Sequence, residues 1–367
     1  MTRFLLGCFL LIGFIAKAQV DTTSNEEEDF DFSDFELATE PAKAFCNNKV
    51  LGQLPTTLVG IQYNFQSGHA FTPGNLVAQP EDEIAEQNDI QATHGFTFTT
   101  NLPLISRNNI LINANVVYDE QHYSFKNPVG NHPLARSINQ NGLRSLNTLF
   151  TVFKPLNANR FILGQIGFGL NGNYAFGEFQ SLNTLRVPVA ALYGWKPSDK
   201  LMYAVGLSRT YLGGALNYVP IFYYYRTFDN EKWGLEALLP ARALLRYRFN
   251  TQSVLSFGFN VVGNTYRLGD FAQLSNQVGN DAARNTLMQA NGVELKRSEI
   301  LLGLRYQKAV SGFFWLTVES GLRINYSYEL DEGGDFARPF GNDKPYYIEN
   351  ELGNPLYFQI GISYVSP

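Results

Sequence analysis

From Trp233 to Phe249 every odd-numbered residue is apolar: Trp233, Leu235, Ala237, Leu239, Ala241, Ala243, Leu245, Tyr247 and Phe249. The even positions between them carry Glu236, Arg242, Arg246 and Arg248. An extended chain with this pattern has one apolar face and one charged face, as a membrane-spanning β-strand does when its other face lines a wet interior. A core strand of a soluble sandwich also alternates, but it is normally shorter and puts its charges into bulk water.

The same period-two pattern recurs along the chain. Candidate strands run over Thr57 to Gln66, Ile90 to Leu102, Asn109 to Asp119, Arg144 to Lys154, Arg160 to Asn173, Leu182 to Trp195, Lys200 to Tyr211 and Ala215 to Thr227. The opening segment follows, then Thr251 to Arg267, Lys296 to Gln307, Ser311 to Tyr328 and Pro355 to Val365. No comparable helical pattern interrupts them. Phe314, Leu316, Val318, Leu322, Ile324, Tyr326 and Tyr328 share one face of their segment, away from Trp315, Thr317, Glu319, Arg323 and Asn325. Aromatic residues gather near strand ends, at Trp195, Tyr211, Tyr266, Tyr326, Tyr328 and Tyr364, where an interfacial girdle is expected.

Short polar connections carry turn formers, as at Ser106 to Asn109, Pro155 to Asn159, Asp229 to Lys232 and Lys308 to Gly312. Long ones span Ser67 to Asp89, Glu120 to Leu143, Leu268 to Leu295 and Asp331 to Asn354. Outer-membrane barrels sort their connections in this way, with short periplasmic turns and long extracellular loops. The expected fold is therefore all-β, an antiparallel transmembrane β-barrel. Counting the opening segment once gives an odd number of strands, which single-chain bacterial barrels normally avoid. Pro240 lacks an amide donor, and an outer turn there would divide the segment into Lys232 to Leu239 and Ala241 to Phe249, for fourteen strands. A strand missed in Leu268 to Leu295 would also restore parity, and two errors elsewhere would leave twelve.

Residues 1–18 read as an export signal: Arg3, an apolar run from Phe4 to Ile15, then Ala16-Lys17-Ala18, with cleavage expected after Ala18. Removal of Cys8 with the signal leaves Cys46 alone, so no internal disulfide can form. Asp21 to Glu40 holds nine acidic residues and no basic one, interleaved with Phe30, Phe32, Phe35 and Leu37. Residues 19–53 are expected to be a disordered periplasmic leader, with docking on a partner or plugging of the lumen as the alternative for its aromatic positions. Residues 54–367 are expected to be the barrel. Without Arg3 and Lys17, the 28 basic residues fall to 26 against 33 acidic, which argues against nucleic-acid binding.

Ala16-Lys17-Ala18-Gln19, the stretch Trp233-Gly234-Leu235-Glu236-Ala237-Leu238-Leu239-Pro240 and the terminal strand together resemble the Bacteroidota outer-membrane β-barrels of a domain-of-unknown-function family. The resemblance covers Leu54 to Val365. It implies an outer-membrane location and brings no catalytic or ligand residues with it. The terminal strand, with Leu356, Phe358, Ile360, Ile362 and Tyr364 on one face, looks like the signal read by the outer-membrane assembly machinery.

Arginine exposed to hydrocarbon near mid-membrane costs about 2 to 4 kcal/mol, so Glu236, Arg242, Arg246 and Arg248 are expected in the lumen. Arg305, Glu319 and Arg323 take the inward face of their strands. This charge cluster reads first as an interior network that rigidifies the barrel, and second as an anion-selective or substrate-contacting lining. His69, His122 and His132 fall in or at the start of outer loops, while His94 shares parity with Phe96 and Phe98. His122 and His132 with Ser124, Asp119 or Ser137 are the candidates for a loop-borne catalytic site. Gly213-Gly214 and Gly333-Gly334 read as turn glycines. No metal or cofactor is implied. No deep apolar lumen tract is visible that would favour fatty-acid uptake over small polar solutes. Two readings follow: an outer-membrane barrel that admits a small solute or serves as a structural and surface-interaction protein, and an outer-membrane enzyme acting on lipid or lipopolysaccharide. The long loops also suit recognition. Oligomeric state is left open.

Overall fold

The computed structural model of the chain describes residues 45–74, 88–127, 133–174, 185–211, 216–268, 293–332 and 348–366. The signal segment and its cleavage site, the leader before residue 45, His132, Gly213-Gly214 and Gly333-Gly334 lie outside the described residues. Fourteen strands build the wall. They are β1 Thr57–Gln66, β2 Ile90–Arg107, β3 Ile110–Phe125, β4 Leu143–Pro155, β5 Arg160–Gly172, β6 Val189–Ser198, β7 Leu201–Thr210, β8 Asn217–Thr227, β9 Trp233–Leu239, β10 Arg242–Asn250, β11 Ser253–Leu268, β12 Val293–Ser311, β13 Phe314–Glu332 and β14 Leu356–Val365. Each pairs antiparallel with its neighbours in sequence, and β14 pairs with β1 from Tyr357 opposite Gln66 to Val365 opposite Thr57. The sheet closes on itself and leaves no open edge.

Pro240 divides the alternating segment as its missing amide predicts, since Leu238 stands opposite Arg242 across the turn. The ring closes at fourteen without a strand from residues 269–292, which lie outside the described residues. Short turns and both ends of the barrel domain share one rim; the long connections and the Pro240-Ala241 turn share the other. Successive Cβ atoms point to opposite faces. Ile61 and Ile362, opposite one another, are 57% and 56% exposed on the outside, while Asn64 is buried inside. Outward rings crowd the short-turn rim, with Trp195 stacked on Tyr203 and Trp233 against Tyr247.

Two expected girdle residues belong elsewhere. Ser298 stands opposite Ser327 but Glu299 stands opposite Asn325, so Tyr326 is an extra residue in β13. A bulge of one residue reverses the parity beyond it. Tyr328 is thereby turned into the barrel, 1% exposed, rather than outward with Tyr326, and Tyr266 of β11 is buried beside it.

The wall is uneven in height. β12 and β13 each have nineteen residues and β9 has seven. Above the low strands β6 to β10, the tops of β5 and β11 come together: Arg267 pairs in parallel with Gly172, and Asn173 N donates to Arg267 O at 3.1 Å. The tall strands thus make a narrower ring on top of the full barrel. A helix, α1 Pro133–Asn141, fills it. Proline suits the first helical turn, and Gly142, at φ +67°, accommodates the left-handed residue that ends the helix. Leu134, Ala135 and Ile138 share one helical face and pack with Ile90, Tyr123, Leu143, Tyr266, Leu295, Tyr328 and Leu330.

Candidate functional site in the lumen

Inward positions on the tall side are polar because alternation leaves them away from the outer surface, and they satisfy one another. Glu299 Oε2 accepts from Arg297 Nη2 at 2.7 Å and Nε at 2.9 Å, and its other oxygen accepts from Arg323. Arg297 Nη1 donates to Gln121 Oε1 at 2.8 Å. Below, Arg305 Nε donates to Glu319 Oε2 at 2.5 Å, and the Tyr357 hydroxyl donates to Glu319 Oε1 at 2.9 Å. Asp119 accepts from the Thr97 hydroxyl at 2.7 Å, and Thr97 in turn accepts from Asn64. Three guanidinium groups, Arg297, Arg305 and Arg323, meet three carboxylates, Asp119, Glu299 and Glu319. Nearer the short-turn rim, Gln62, Thr97, Thr99, Arg305, Gln307 and Thr317, with Ile61 and Ile362, line a cavity of about 210 Å³ of mixed character.

The opposite side is unbalanced. Arg246 Nε lies 3.1 Å from Glu236 Oε1, and its Nη2 donates to the Thr227 hydroxyl at 3.1 Å. Arg248 Nη2 donates to the Gly52 carbonyl at 2.6 Å. Arg242 Nη2 donates to the Tyr225 hydroxyl at 2.6 Å. Among the described residues, three guanidinium groups on β10 thus meet one carboxylate, Glu236.

Phe45 to Gln53, assigned above to the leader, run along the short-turn rim from the β4–β5 turn to β10 as a strap. Cys46 N donates to Asn157 O at 3.1 Å and Leu51 N to Asp199 O at 2.7 Å. Lys196 Nζ donates to Lys49 O at 2.8 Å, and the Thr227 hydroxyl to Leu51 O at 2.5 Å. Gly52, at φ +80°, turns the strap beneath Arg246. Cys46 and Val50 pack on Phe153, Phe161, Leu192, Met202, Ala204 and Tyr225. Burial pushes the Cys46 thiol above its usual range.

Those partners reveal an apolar lumen tract along β4 to β8, contrary to the expectation of none. Strands β6 and β7 are apolar on both faces, so their inward residues, such as Leu192 and Met202, do not stand out against an alternation. Higher on this side, Leu149, Gln165, Ala190, Ser208, Val219, Ile221, Leu238 and Leu239 border a cavity of about 270 Å³.

The seven residues of the charge cluster read from the sequence fall into two separate groups, Arg305, Glu319 and Arg323 on the tall side, and Glu236, Arg242, Arg246 and Arg248 on β9 and β10. Glu299 and Arg297 were missed, although they continue the parity of Arg305 on β12. Among the described residues the candidate catalytic group is not assembled, and His132 lies outside them. His122 stacks on His94 at 5.8 Å and lies 3.7 Å from Glu120, whereas Asp119 faces the lumen and Ser137 bonds to Asn173 on α1's inner side.

No family model matches the chain, and no curated protein matches it. Among solved structures, it is similar to an outer membrane channel from Pseudomonas putida F1 at 10% identity and TM-score 0.38, over 90% of this chain and 100% of that one. A Pseudomonas aeruginosa FadL homologue is 9% identical, with TM-score 0.38, over 88% of this chain and 95% of that one. The outer membrane protease OmpT from Escherichia coli is 8% identical, with TM-score 0.27, over 84% of this chain and 96% of that one. A channel and a protease stand side by side at these distances, so the likenesses carry no inference about activity.

Proposed function

We propose that the chain is an outer-membrane barrel of the channel type that admits a small solute, with its short-turn rim toward the periplasm. The observation that carries this reading is the contrast between the two faces of one closed wall: apolar side chains exposed outside, and buried charged and polar side chains inside. Water cannot satisfy the backbone within a bilayer, and only a closed barrel or a helix meets that demand. The residues of the export signal and their resemblance to Bacteroidota barrels support an outer-membrane location. The outward belt would contact outer-membrane lipids.

The strap makes the resting channel narrow at the periplasmic mouth. The test is conductance in planar bilayers and solute-dependent swelling of liposomes carrying the purified full-length protein, beside a variant lacking residues 45–53. Conductance that rises on strap removal supports the channel. Folded protein of both forms with neither conductance nor swelling would overturn it.

A further inference from the structure

The cavity of about 210 Å³ is built from two rows of inward positions on β12, β13, β14, β1 and β2. In the first row Gln307 stands opposite Thr317, Thr317 opposite Gly361, Gly361 opposite Gln62, and Gln62 opposite Thr97. In the second, nearer the short-turn rim, Ser363 faces Gly60 and Gly60 faces Thr99. Each row thus has a glycine among residues that carry side chains, and the missing side chains leave a hollow there. Ile61 and Ile362 turn their side chains outward, so what they give the inside is main chain. Ile61 O lies 2.8 Å from where a Cβ on Gly361 would stand, and Ile362 O lies 3.7 Å from the same point on Gly60. Glycine main chain and threonine methyl groups supply the apolar share of the lining.

The polar share is neutral or already matched in charge. Gln62 Nε2 donates to Asn64 Oδ1 at 2.9 Å, and Gln307 Nε2 to Thr317 Oγ1 at 3.4 Å. Among the described residues neither amide oxygen accepts a hydrogen bond, and the Thr99 and Ser363 hydroxyls bond to no protein group. Arg305 borders the hollow, but its charge is met by Glu319, which also accepts from the Tyr357 hydroxyl. An ion would find no unmatched partner here. A hydrocarbon of the same size would leave the amide oxygens and hydroxyls without hydrogen bonds, which is costly. A compact solute with several hydroxyl groups satisfies both conditions, because each hydroxyl both donates and accepts. At about 30 Å³ per water, the hollow has room for about seven waters, or for one small ring that displaces them.

We infer that this cavity is a binding subsite for a neutral polyhydroxylated solute of monosaccharide size, held by Gln62, Gln307, Thr99 and Ser363. The inference rests on the channel reading and specifies the class of solute which that channel takes. The strap bonds to the β4–β5 turn, β6, the β6–β7 turn, β8 and β10, none of which lines the hollow, so the subsite and the strap occupy separate parts of the same rim.

The test uses the full-length protein in nanodiscs, with glucose, glucuronate and glucosamine as probes of one ring size and three charges, followed by calorimetry. Glucose is expected to bind saturably, and each charged sugar more weakly by about threefold or more, the equivalent of one lost hydrogen bond. Gly60→Val fills the hollow: a Cβ there meets nothing closer than 3.4 Å, so the wall accepts the side chain. Glucose binding is expected to be lost in this variant, with rapid migration on unheated gels intact. Gln307→Glu places a carboxylate in the lining and is expected to put glucosamine ahead of glucose, whereas a purely structural role for Gln307 would lower all three sugars alike. Equal binding of the three sugars, or glucose binding unchanged in Gly60→Val, would overturn the subsite. Liposome swelling in glucose without saturable glucose binding defeats this inference alone. Glucose binding in a protein that neither conducts nor swells liposomes defeats the channel reading and leaves the site standing.

Discussion

Arg297 on β12 reaches across the barrel to Gln121 on β3, with 2.8 Å between the guanidinium Nη1 and the amide oxygen. These strands are not neighbours in the sheet, so the contact ties opposite walls together. Its strength depends on Glu299, which holds Arg297 and Arg323 at once. Glu299→Gln would leave two buried guanidinium groups sharing a neutral amide. Breaking a buried pair from one side costs about 3 to 5 kcal/mol. The expected outcome is a lower urea midpoint for the folded barrel in lipid vesicles, read by loss of its rapid migration on unheated gels.

Cys46 is the single thiol of the chain after the expected loss of Cys8, and it is buried beneath the strap. Its raised pKa leaves less thiolate at any given pH, and burial blocks access as well. Maleimide labelling of the folded protein is therefore expected to be slow. Lys196→Ala removes the donor to Lys49 O and also the cation that partly offsets the effect of burial on the thiol, so any gain in labelling rate, at matched pH, must come from release of the strap against a further rise of the thiol pKa.

Gly142 closes α1 at φ +67°, and a Cβ placed there would stand 2.3 Å from the backbone oxygen of Gln121. Gly142→Ala therefore meets both the left-handed penalty and a clash with backbone that cannot swing aside. A loss of more than about 1 kcal/mol is expected. Hydrogen exchange in α1 amides, compared with amides of β14, should show the loss as local opening of the helix.

His69, in the connection after β1, is held below the usual histidine range by burial, with Arg323 and Arg297 adding repulsion against the backbone carbonyl of Ser67. A depressed folded pKa means the unfolded chain binds the proton more readily. Stability from the neutral ring is complete above the unfolded pKa of 6.5 and is lost as pH falls through the lower folded value. Thermal stability across this window should fall toward acid in the native protein. His69→Gln should flatten that slope.

Much of the wall was legible because alternation is imposed by the environment on each side of a strand. Trp233 to Phe249 shows its outward face directly, and Pro240 marks the turn because a missing amide cannot be disguised. Tyr328 was misplaced for a physical reason: the extra residue at Tyr326 reverses parity without leaving a compositional trace. The strap was hidden likewise. Phe45 to Gln53 have no periodic face, and their order comes from carbonyls captured by Lys196, Thr227 and Arg248, residues far away in sequence. The excess charge on β10 could be read from the sequence, but the apolar tract that faces it could not, because β6 and β7 are greasy on both sides.

The seven-residue β9 carries a consequence for the surrounding lipid. A tilted strand needs about 9 to 11 residues to cross the hydrocarbon layer. β12 and β13, at nineteen residues each, exceed that, while β9 falls short of it. In the membrane setting proposed above, acyl chains beside Leu239 and Pro240 would have to shorten or splay to keep those residues wetted by hydrocarbon, while chains beside β13 would not. One molecule would then draw a thickness gradient around its own circumference, pinching the outer leaflet at the low wall and orienting the barrel with respect to neighbouring proteins that favour thin or thick patches.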